Sequence, residues 1–209
     1  MVKEDVCGGI VAYNPEIESF RANVKNIAGQ VDRLVVVDNH SANIEEIETV
    51  VQSVANAELV KNDKNYGIAR ALNQILQFAE ENHYLWYLTM DQDSVCCSDL
   101  IEKYAGSLAD EKKDVAVLCP FVLNNNKITL EEYKSMALPD LEEIRQPIDC
   151  IRSASLNSVS MAKEVGGYAE ELFIDCVDVE FNIRILKAGY RICRINKAYM
   201  IQSMGAAKY

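Results

Sequence analysis

The sequence predicts an α/β fold whose central sheet is mostly parallel and flanked by helices. Apolar runs of strand length alternate with segments of helical periodicity as far as residue 122, which is typical of β-α-β units. The run at 33–38, RLVVVD, is almost continuously apolar, as expected for a parallel strand covered on both faces. Polar clusters follow several of these runs, where the strands of such a sheet present their ligand-binding ends.

The elements follow from apolar spacing and from turn residues. Asn14 is expected to cap the first helix, with Pro15 at its first position and Gly29 at its end. Residues 124–147 are polar and are expected to form a loop region with one short helix. Strands are predicted at 6–13, 33–38, 57–62, 84–90, 114–122, 190–195 and 198–202, and helices from 15, from 44, over 67–80, from 98 and over 178–188.

Composition narrows the class of protein. The 209 residues suit a single domain, here expected to span 1–209, and the net charge of -11 argues against a nucleic-acid partner. No apolar run is long enough to cross a bilayer, and the N-terminus lacks the apolar core of a signal peptide. The seven cysteines, an odd number in mostly apolar segments, indicate reduced, buried thiols in a cytoplasmic protein.

Asp91 and Asp93 follow directly after an apolar strand, in the sequence YLTMDQDS. Carboxylates in this position suit a hard divalent cation that bridges to a diphosphate. The alternative is that Asp93 caps the helix near Ser98, or that both residues lie in a solvated turn. The clusters expected to converge with them on one ligand are Tyr13-Asn14-Pro15, Asp38-Asn39-His40-Ser41 and Asn65-Tyr66-Gly67, with Gln92 between the two aspartates.

Each of the other candidate binding residues also has an ordinary structural explanation. Asp38 can accept hydrogen bonds from a ribose or base, or it can cap a helix; Tyr13 can stack on a base, or it can be a core tyrosine. Gly67 opens a helix whose N-terminus favours a phosphate, and Arg70 and Asn73 on that helix can face the same cleft or simply solvent.

Asp175 and Asp178 stand before a helix in the sequence FIDCVDVEFNIRI. A carboxylate in the first helical turn can act as a general base if it projects into the cleft. The alternative is that these acids only cap the helix. Glu180 and Arg184, four residues apart, are expected to pair.

Taken together, GIVAYNP, VVVDNHS, NYGIARALN, MDQDS and GGYAEELFIDCVDVEFNIRILKAGYRI resemble inverting family 2 glycosyltransferases with the GT-A fold, in which a mixed, mostly parallel sheet binds a nucleotide sugar. The resemblance is closest to bacterial rhamnosyltransferases of polysaccharide assembly and runs over nearly the whole chain.

The resemblance implies a role for each candidate. It places Tyr13 and Asp38 at the base and ribose, and it implies a nucleotide-binding half at 1–122 and an acceptor half at 123–209. The nucleotide of a dTDP- or UDP-sugar would lie among the residues Asn14, Asn39, Asn65, Gly67, Arg70, Asn73 and Gln92. Asp91 and Asp93 would bind Mg²⁺ or Mn²⁺, and Asp178 would be the catalytic base, with Asp175 as the second candidate.

Two departures from the family keep a second function open. Gln202, whose neutral amide oxygen is expected to be a third and weaker metal ligand, stands where relatives often carry a metal-side histidine. The chain stops at Tyr209, where similar enzymes often continue. The main expectation is transfer to a glycan or lipid-linked acceptor by a cytoplasmic protein with peripheral contact to the inner membrane face. The alternative is a catalytically weak nucleotide-sugar-binding or scaffold protein. A nucleotidyltransferase is disfavoured because GGIVAYNP lacks a basic, glycine-rich phosphate loop.

Overall fold

The computed structural model describes residues 1–108, 114–124 and 128–202. These residues form one nine-stranded sheet and seven α-helices, which confirms the predicted α/β class. In chain order the elements are β1 (Val6–Ala12), α1 (Ile17–Gln30), β2 (Arg33–Asp38), α2 (Ile44–Gln52), β3 (Ala57–Lys61), α3 (Ile68–Glu81), β4 (Trp86–Asp91), β5 (Val95–Cys96), α4 (Leu100–Leu108), β6 (Val115–Asn124), α5 (Leu130–Ser135), β7 (Leu141–Ile144), β8 (Ser155–Ser158), α6 (Val159–Glu164), α7 (Val177–Lys187) and β9 (Arg191–Gln202).

The strands lie in the order β3-β2-β1-β4-β8-β6-β9-β5, and β7 pairs with the outer part of the sheet through β9. The pairs β1–β2, β1–β4, β2–β3 and β6–β9 are parallel. β8 runs antiparallel between β4 and β6. The longest pairings are therefore parallel and the antiparallel ones short, as predicted for a mixed, mostly parallel sheet.

The alternating side chains of β2 show the two-layer core. Leu34 and Val36 belong to the apolar cluster that also contains residues of α1, α2 and α4, and Val35 and Val37 belong to the cluster that contains residues of α3, α6 and α7. All four side chains are fully buried, as the continuous apolar run predicts.

Gly9 brings α3 close to the sheet. A Cβ atom at this position would lie 2.3 Å from a side-chain carbon of Ile75 on α3. The glycine is therefore a packing feature, in agreement with the absence of a phosphate loop in GGIVAYNP.

Several element boundaries differ from the predictions. Glu16, and not Asn14, caps α1, because its carboxylate accepts hydrogen bonds from the Glu18 and Ser19 backbone N–H groups. The polar segment 124–147 contains the strand β7 as well as the expected short helix, and residues 125–127 lie outside the described part. The two strands expected at 190–195 and 198–202 form the single strand β9, whose register on β6 shifts after Pro120.

All seven cysteines lie in the described part of the chain and are reduced; six are buried, as expected, and Cys176 is exposed. Among the described helices, none has the length and apolar character that a membrane span requires. The end of the chain at Tyr209, noted in the sequence, belongs to residues 203–209, which lie outside the described part.

Candidate active site

A cleft of about 490 Å³ opens where β1 and β4 end. This is the edge at which parallel α/β sheets bind ligands, since the loops after neighbouring strands meet there. The structure brings eight of the predicted site residues to its wall: Tyr13, Asn39, Asn65, Gly67, Asp91, Gln92, Asp93 and Gln202. Their individual roles stay predictions, but the shared hollow that those roles require is present.

Asp38 and Asn14 lie beside the cleft and shape its loops. The Asp38 carboxylate is buried and accepts hydrogen bonds from the backbone N–H groups of His40 and Ser41, at 3.0 and 3.1 Å. Asn14 donates its backbone N–H to the Ser41 hydroxyl at 2.8 Å and accepts from the Ala42 N–H at 2.7 Å. The loops after β1 and β2 are thereby tied together. Contact of either side chain with a ribose or nucleotide stays a prediction.

Gln92 fixes the position of Tyr13. Its amide oxygen accepts the Tyr13 backbone N–H at 2.8 Å, and its amide N–H donates to the Tyr13 carbonyl at 3.3 Å. Tyr13 is 48% exposed at the cleft wall, where an aromatic side chain can stack on a flat partner. The amide of Gln92 is thus engaged with backbone in this structure.

The N-terminus of α3 is occupied by the chain itself, which corrects the expectation of a phosphate there. The Ile68 and Ala69 N–H groups both donate to the Phe173 carbonyl, at 2.6 and 3.4 Å. Gly67 has φ = 84°, and a Cβ atom on it would come within 2.5 Å of the same carbonyl. Glycine is therefore required by close backbone approach as well as by its dihedral angle.

Arg70 and Asn73 do not line the cleft, contrary to the expectation from their helical spacing. The Arg70 guanidinium lies 4.0 Å above the centre of the Tyr66 ring, and the residue is exposed. Asn73 accepts the Tyr168 N–H at 2.8 Å and donates to the Tyr168 carbonyl at 2.9 Å. Its amide therefore joins α3 to the segment before α7.

Asp91 is held from three sides at the end of β4. Its N–H donates to the Ser153 hydroxyl at 3.1 Å, and its carbonyl accepts from the Asn23 amide at 2.7 Å. Its carboxylate forms an ion pair with Arg152, with 2.9 Å between Oδ1 and Nη2. Burial raises the pKa of Asp91; the Arg152 guanidinium opposes that shift, and the carboxylates of Asp93 and Asp178 add to it.

Sequence reasoning missed Arg152. A signal was present, because a single arginine stands in the otherwise uncharged stretch CIRSASLNSVSMA. A charge at the start of a buried strand requires a partner of opposite sign. The sequence does not say which of the chain's 32 acidic residues that partner is.

Asp178 lies in the first turn of α7, as predicted, and lines a small cavity together with Arg152 and Tyr168. Its carboxylate accepts the Val179 N–H at 2.9 Å, so it also serves the helix N-terminus. Asp175 is exposed and lines neither the cleft nor this cavity. The predicted ion pair of Arg184 with Glu180 is confirmed at 2.6 Å.

The predicted metal ligands do not form a complete set as they stand. Asp91, Asp93 and Gln202 offer two carboxylates and one amide oxygen, and the guanidinium of Arg152 is on Asp91. Across the described ranges, no three His, Cys, Asp or Glu side chains are grouped so that they could hold a metal ion. Mg²⁺ and Mn²⁺ take oxygen ligands, but a guanidinium 2.9 Å from a ligand oxygen repels a cation. The residues present therefore do not fit a resident divalent ion.

Solved structures establish the class of fold, which is that of the GT-A glycosyltransferases. S. aureus TarS in complex with UDP-GlcNAc matches with a TM-score of 0.73 at 18% identity, over 98% of this chain and 61% of that one. GalNAc-T7 with UDP, GalNAc and Mn²⁺ matches with a TM-score of 0.73 at 10% identity, over 98% of this chain and 44% of that one. The present chain thus spans about half the length of these solved proteins.

The chain belongs to glycosyl transferase family 2, whose pattern matches residues 9–164. The dTDP-rhamnosyl transferase RfbF of Shigella flexneri is 26% identical over 208 residues, covering 94% of this chain and 68% of RfbF. The resemblance noted in the sequence is thereby confirmed.

Proposed function

We propose that the protein is an inverting glycosyltransferase that moves a sugar from a nucleoside diphosphate donor to a hydroxyl group of a glycan or lipid-linked acceptor. The observation that carries the proposal is the cleft at the ends of β1 and β4, lined by family motif residues and adjoining the cavity of Asp178. A dTDP- or UDP-sugar is the proposed donor, with rhamnose as the proposed sugar, because relatives include a dTDP-rhamnosyl transferase and a UDP-GlcNAc complex.

The donor half of the site is proposed to be built by residues 1–122. Tyr13 presents an exposed ring for stacking on the base, and the tied loops of Asp38 and Asn39 lie on the same side. Asn65 and Gly67 bring backbone to the cleft wall, where it can approach a ribose or phosphate closely. The acceptor half is proposed to lie in 123–209, which carries Asp178.

Asp178 is proposed as the general base. It takes the proton from the acceptor hydroxyl as that oxygen forms its bond to the anomeric carbon. The bond from the anomeric carbon to the donor diphosphate breaks in the same step, and the diphosphate leaves with the bonding electron pair. A single displacement from the opposite face inverts the anomeric centre, as it does in inverting glycosidases.

The substitution Asp178→Asn tests the base. We expect transfer from a panel of dTDP- and UDP-sugars to fall by at least about 100-fold, the usual contribution of a general base. The Kd for the nucleoside diphosphate, measured by calorimetry, should stay within about twofold, because the amide preserves the shape of the side chain.

Asp175→Asn is the matched control, since it removes the same charge from the same segment without touching the cavity. Loss of transfer in the control and not in Asp178→Asn would assign the base to Asp175. A wild-type protein that binds nucleotide but transfers no sugar from any donor would favour the alternative of a nucleotide-sugar-binding protein.

A further inference from the structure

Arg152 places a positive charge in the acidic end of the cleft. It lines the main cleft together with Asp91 and Asp93, and it also lines the small cavity that contains Asp178. Its side chain is only 21% exposed, and that of Asp91 only 19%. A largely buried arginine thus lines both the proposed donor site and the cavity of the proposed base.

The sheet holds Arg152 in this place. Its backbone carbonyl accepts the Thr89 hydroxyl of β4 at 2.6 Å. Three residues later Ser155 is paired with Thr89 in the antiparallel β4–β8 ladder. Ser153 in turn accepts the Asp91 N–H. The arginine and the aspartate are therefore positioned by the same two strands, as a preorganised site requires.

The guanidinium has hydrogen-bonding capacity beyond its ion pair. Arginine carries five N–H donors in a planar fork, and its hydrogen bonds to phosphate are among the strong, charge-assisted ones. Within the described part of the chain, Asp91 is the one side chain to which Arg152 is bonded. Other N–H groups of the fork remain for oxygens of a ligand in the cleft. A metal ion on Asp91 would have to displace the guanidinium or lie beside it at a repulsive distance.

We propose that Arg152 is the cation that binds the donor diphosphate, in the place where relatives would use a metal ion. Nucleotide binding by this protein is then independent of divalent metal. This inference rests on the proposed function, because it assumes that a nucleoside diphosphate occupies the cleft. In the proposed reaction the same guanidinium would offset the negative charge that develops on the departing diphosphate.

Calorimetric titration with UDP and dTDP, in EDTA and in excess Mg²⁺ or Mn²⁺, tests the proposal. We expect the wild-type Kd to agree within about threefold in all three conditions. Arg152→Gln should weaken binding in EDTA by roughly 10- to 100-fold, the size of a lost charged hydrogen bond. Added Mg²⁺ should restore part of that loss, since Asp91 is then free to bind a metal ion. A purely structural role for Arg152 would not create such a metal response.

Arg33→Gln is the matched control, because it also removes one arginine charge and one ion pair, but away from the cleft. Arg33 is paired with Glu58 at 2.6 Å, and neither residue lines the cleft. This variant should bind both nucleotides as the wild type does. If Arg152→Gln alone fails to fold because Asp91 is left unpaired, the double variant Asp91→Asn/Arg152→Gln removes both charges and should bind as weakly in EDTA.

The substitution Asp91→Asn shows whether Arg152 or a metal ion on Asp91 binds the diphosphate. If Arg152 binds the diphosphate, loss of the Asp91 charge should tighten binding in EDTA by about threefold or more. If a metal ion on Asp91 binds it, the same substitution should weaken binding in Mg²⁺. Wild-type binding that is lost in EDTA and regained with Mg²⁺, or an unchanged Kd for Arg152→Gln in EDTA, would overturn the role of Arg152 and leave the proposed function standing. Absence of nucleotide binding in every condition would overturn both.

Discussion

A single side chain, the amide of Asn73, connects α3 to the segment before α7. It exchanges two hydrogen bonds with the backbone of Tyr168 and donates a third to the Glu170 carboxylate at 3.0 Å. A Cβ atom at Gly167 would lie 2.6 Å from the Asn73 amide oxygen, so the backbone approaches this amide closely only because residue 167 is glycine. The amide therefore stabilises the junction between α3 and the segment before α7 and does not face the cleft.

We expect Asn73→Ala to lower the free energy of unfolding by about 1–3 kcal/mol, because it leaves the Tyr168 backbone groups without their partner. The Kd for UDP or dTDP should not change. Denaturant unfolding and calorimetry measure the two quantities. Gln77→Ala, at an exposed position of the same helix, is the control for helix propensity. Weaker nucleotide binding without loss of stability would return Asn73 to the donor site, as its sequence context first suggested.

At the level of a single element, the N-terminus of α1 is stabilised by the side chain of Glu16. The Glu16 carboxylate accepts the N–H groups of Glu18 and Ser19 and the Ser19 hydroxyl, at 3.1, 2.8 and 2.7 Å. The hydroxyl of Ser19, with these N–H groups, holds the pKa of Glu16 below its ordinary value. A carboxyl group whose pKa is lower in the folded state stabilises that state above the unfolded pKa. The contribution is lost as the pH falls through the folded pKa.

The substitution Glu16→Gln should therefore lower the melting temperature at pH 7. The difference from the wild type should shrink as the pH falls below about 4.3, the ordinary pKa of glutamate, and vanish below the folded pKa. Thermal unfolding between pH 7 and pH 3 measures this. Glu18→Gln, an exposed acid in the same first turn, controls for general charge effects. A difference that stays constant over this pH range would contradict the cap.

Element types were predictable from the sequence, and element boundaries less so. The apolar runs of β1 to β4 and the periodic helices between them were predicted correctly, because burial on one or both faces leaves a local pattern. The first turn of α1 was misplaced, since Asn14-Pro15 is also a good loop sequence and glutamate is not among the residues that usually cap helices. β7 was missed because its strand, LEEI, is short and has two glutamates among its four residues.

At the scale of the whole molecule, one sheet joins the two proposed halves. The boundary at residue 122 falls inside β6, which pairs with β8 and β9 of the second half. Further links are the β4–β8 ladder and the Phe173 carbonyl on the N-terminus of α3. The division into a donor half and an acceptor half is therefore proposed for function, and no break in the described sheet accompanies it.

We expect the protein to unfold in a single cooperative transition. Differential scanning calorimetry should give a calorimetric enthalpy equal to the van't Hoff enthalpy, the test of two-state behaviour. A saturating nucleoside diphosphate should move that one transition to higher temperature, because the ligand binds only the folded state. Two separated transitions, of which only one responds to nucleotide, would instead make the halves independent units.

The sequence by itself determined the α/β class, the buried strands and the gathering of polar residues at the strand ends. These properties depend on local periodicity and on the rule that parallel strands present one common edge. Only the tertiary structure decided which polar groups face a ligand and which bind each other. Arg152 pairs with Asp91, and Asn73 with a backbone 95 residues away. Such pairings depend on distances between remote segments, which no local pattern of residues encodes.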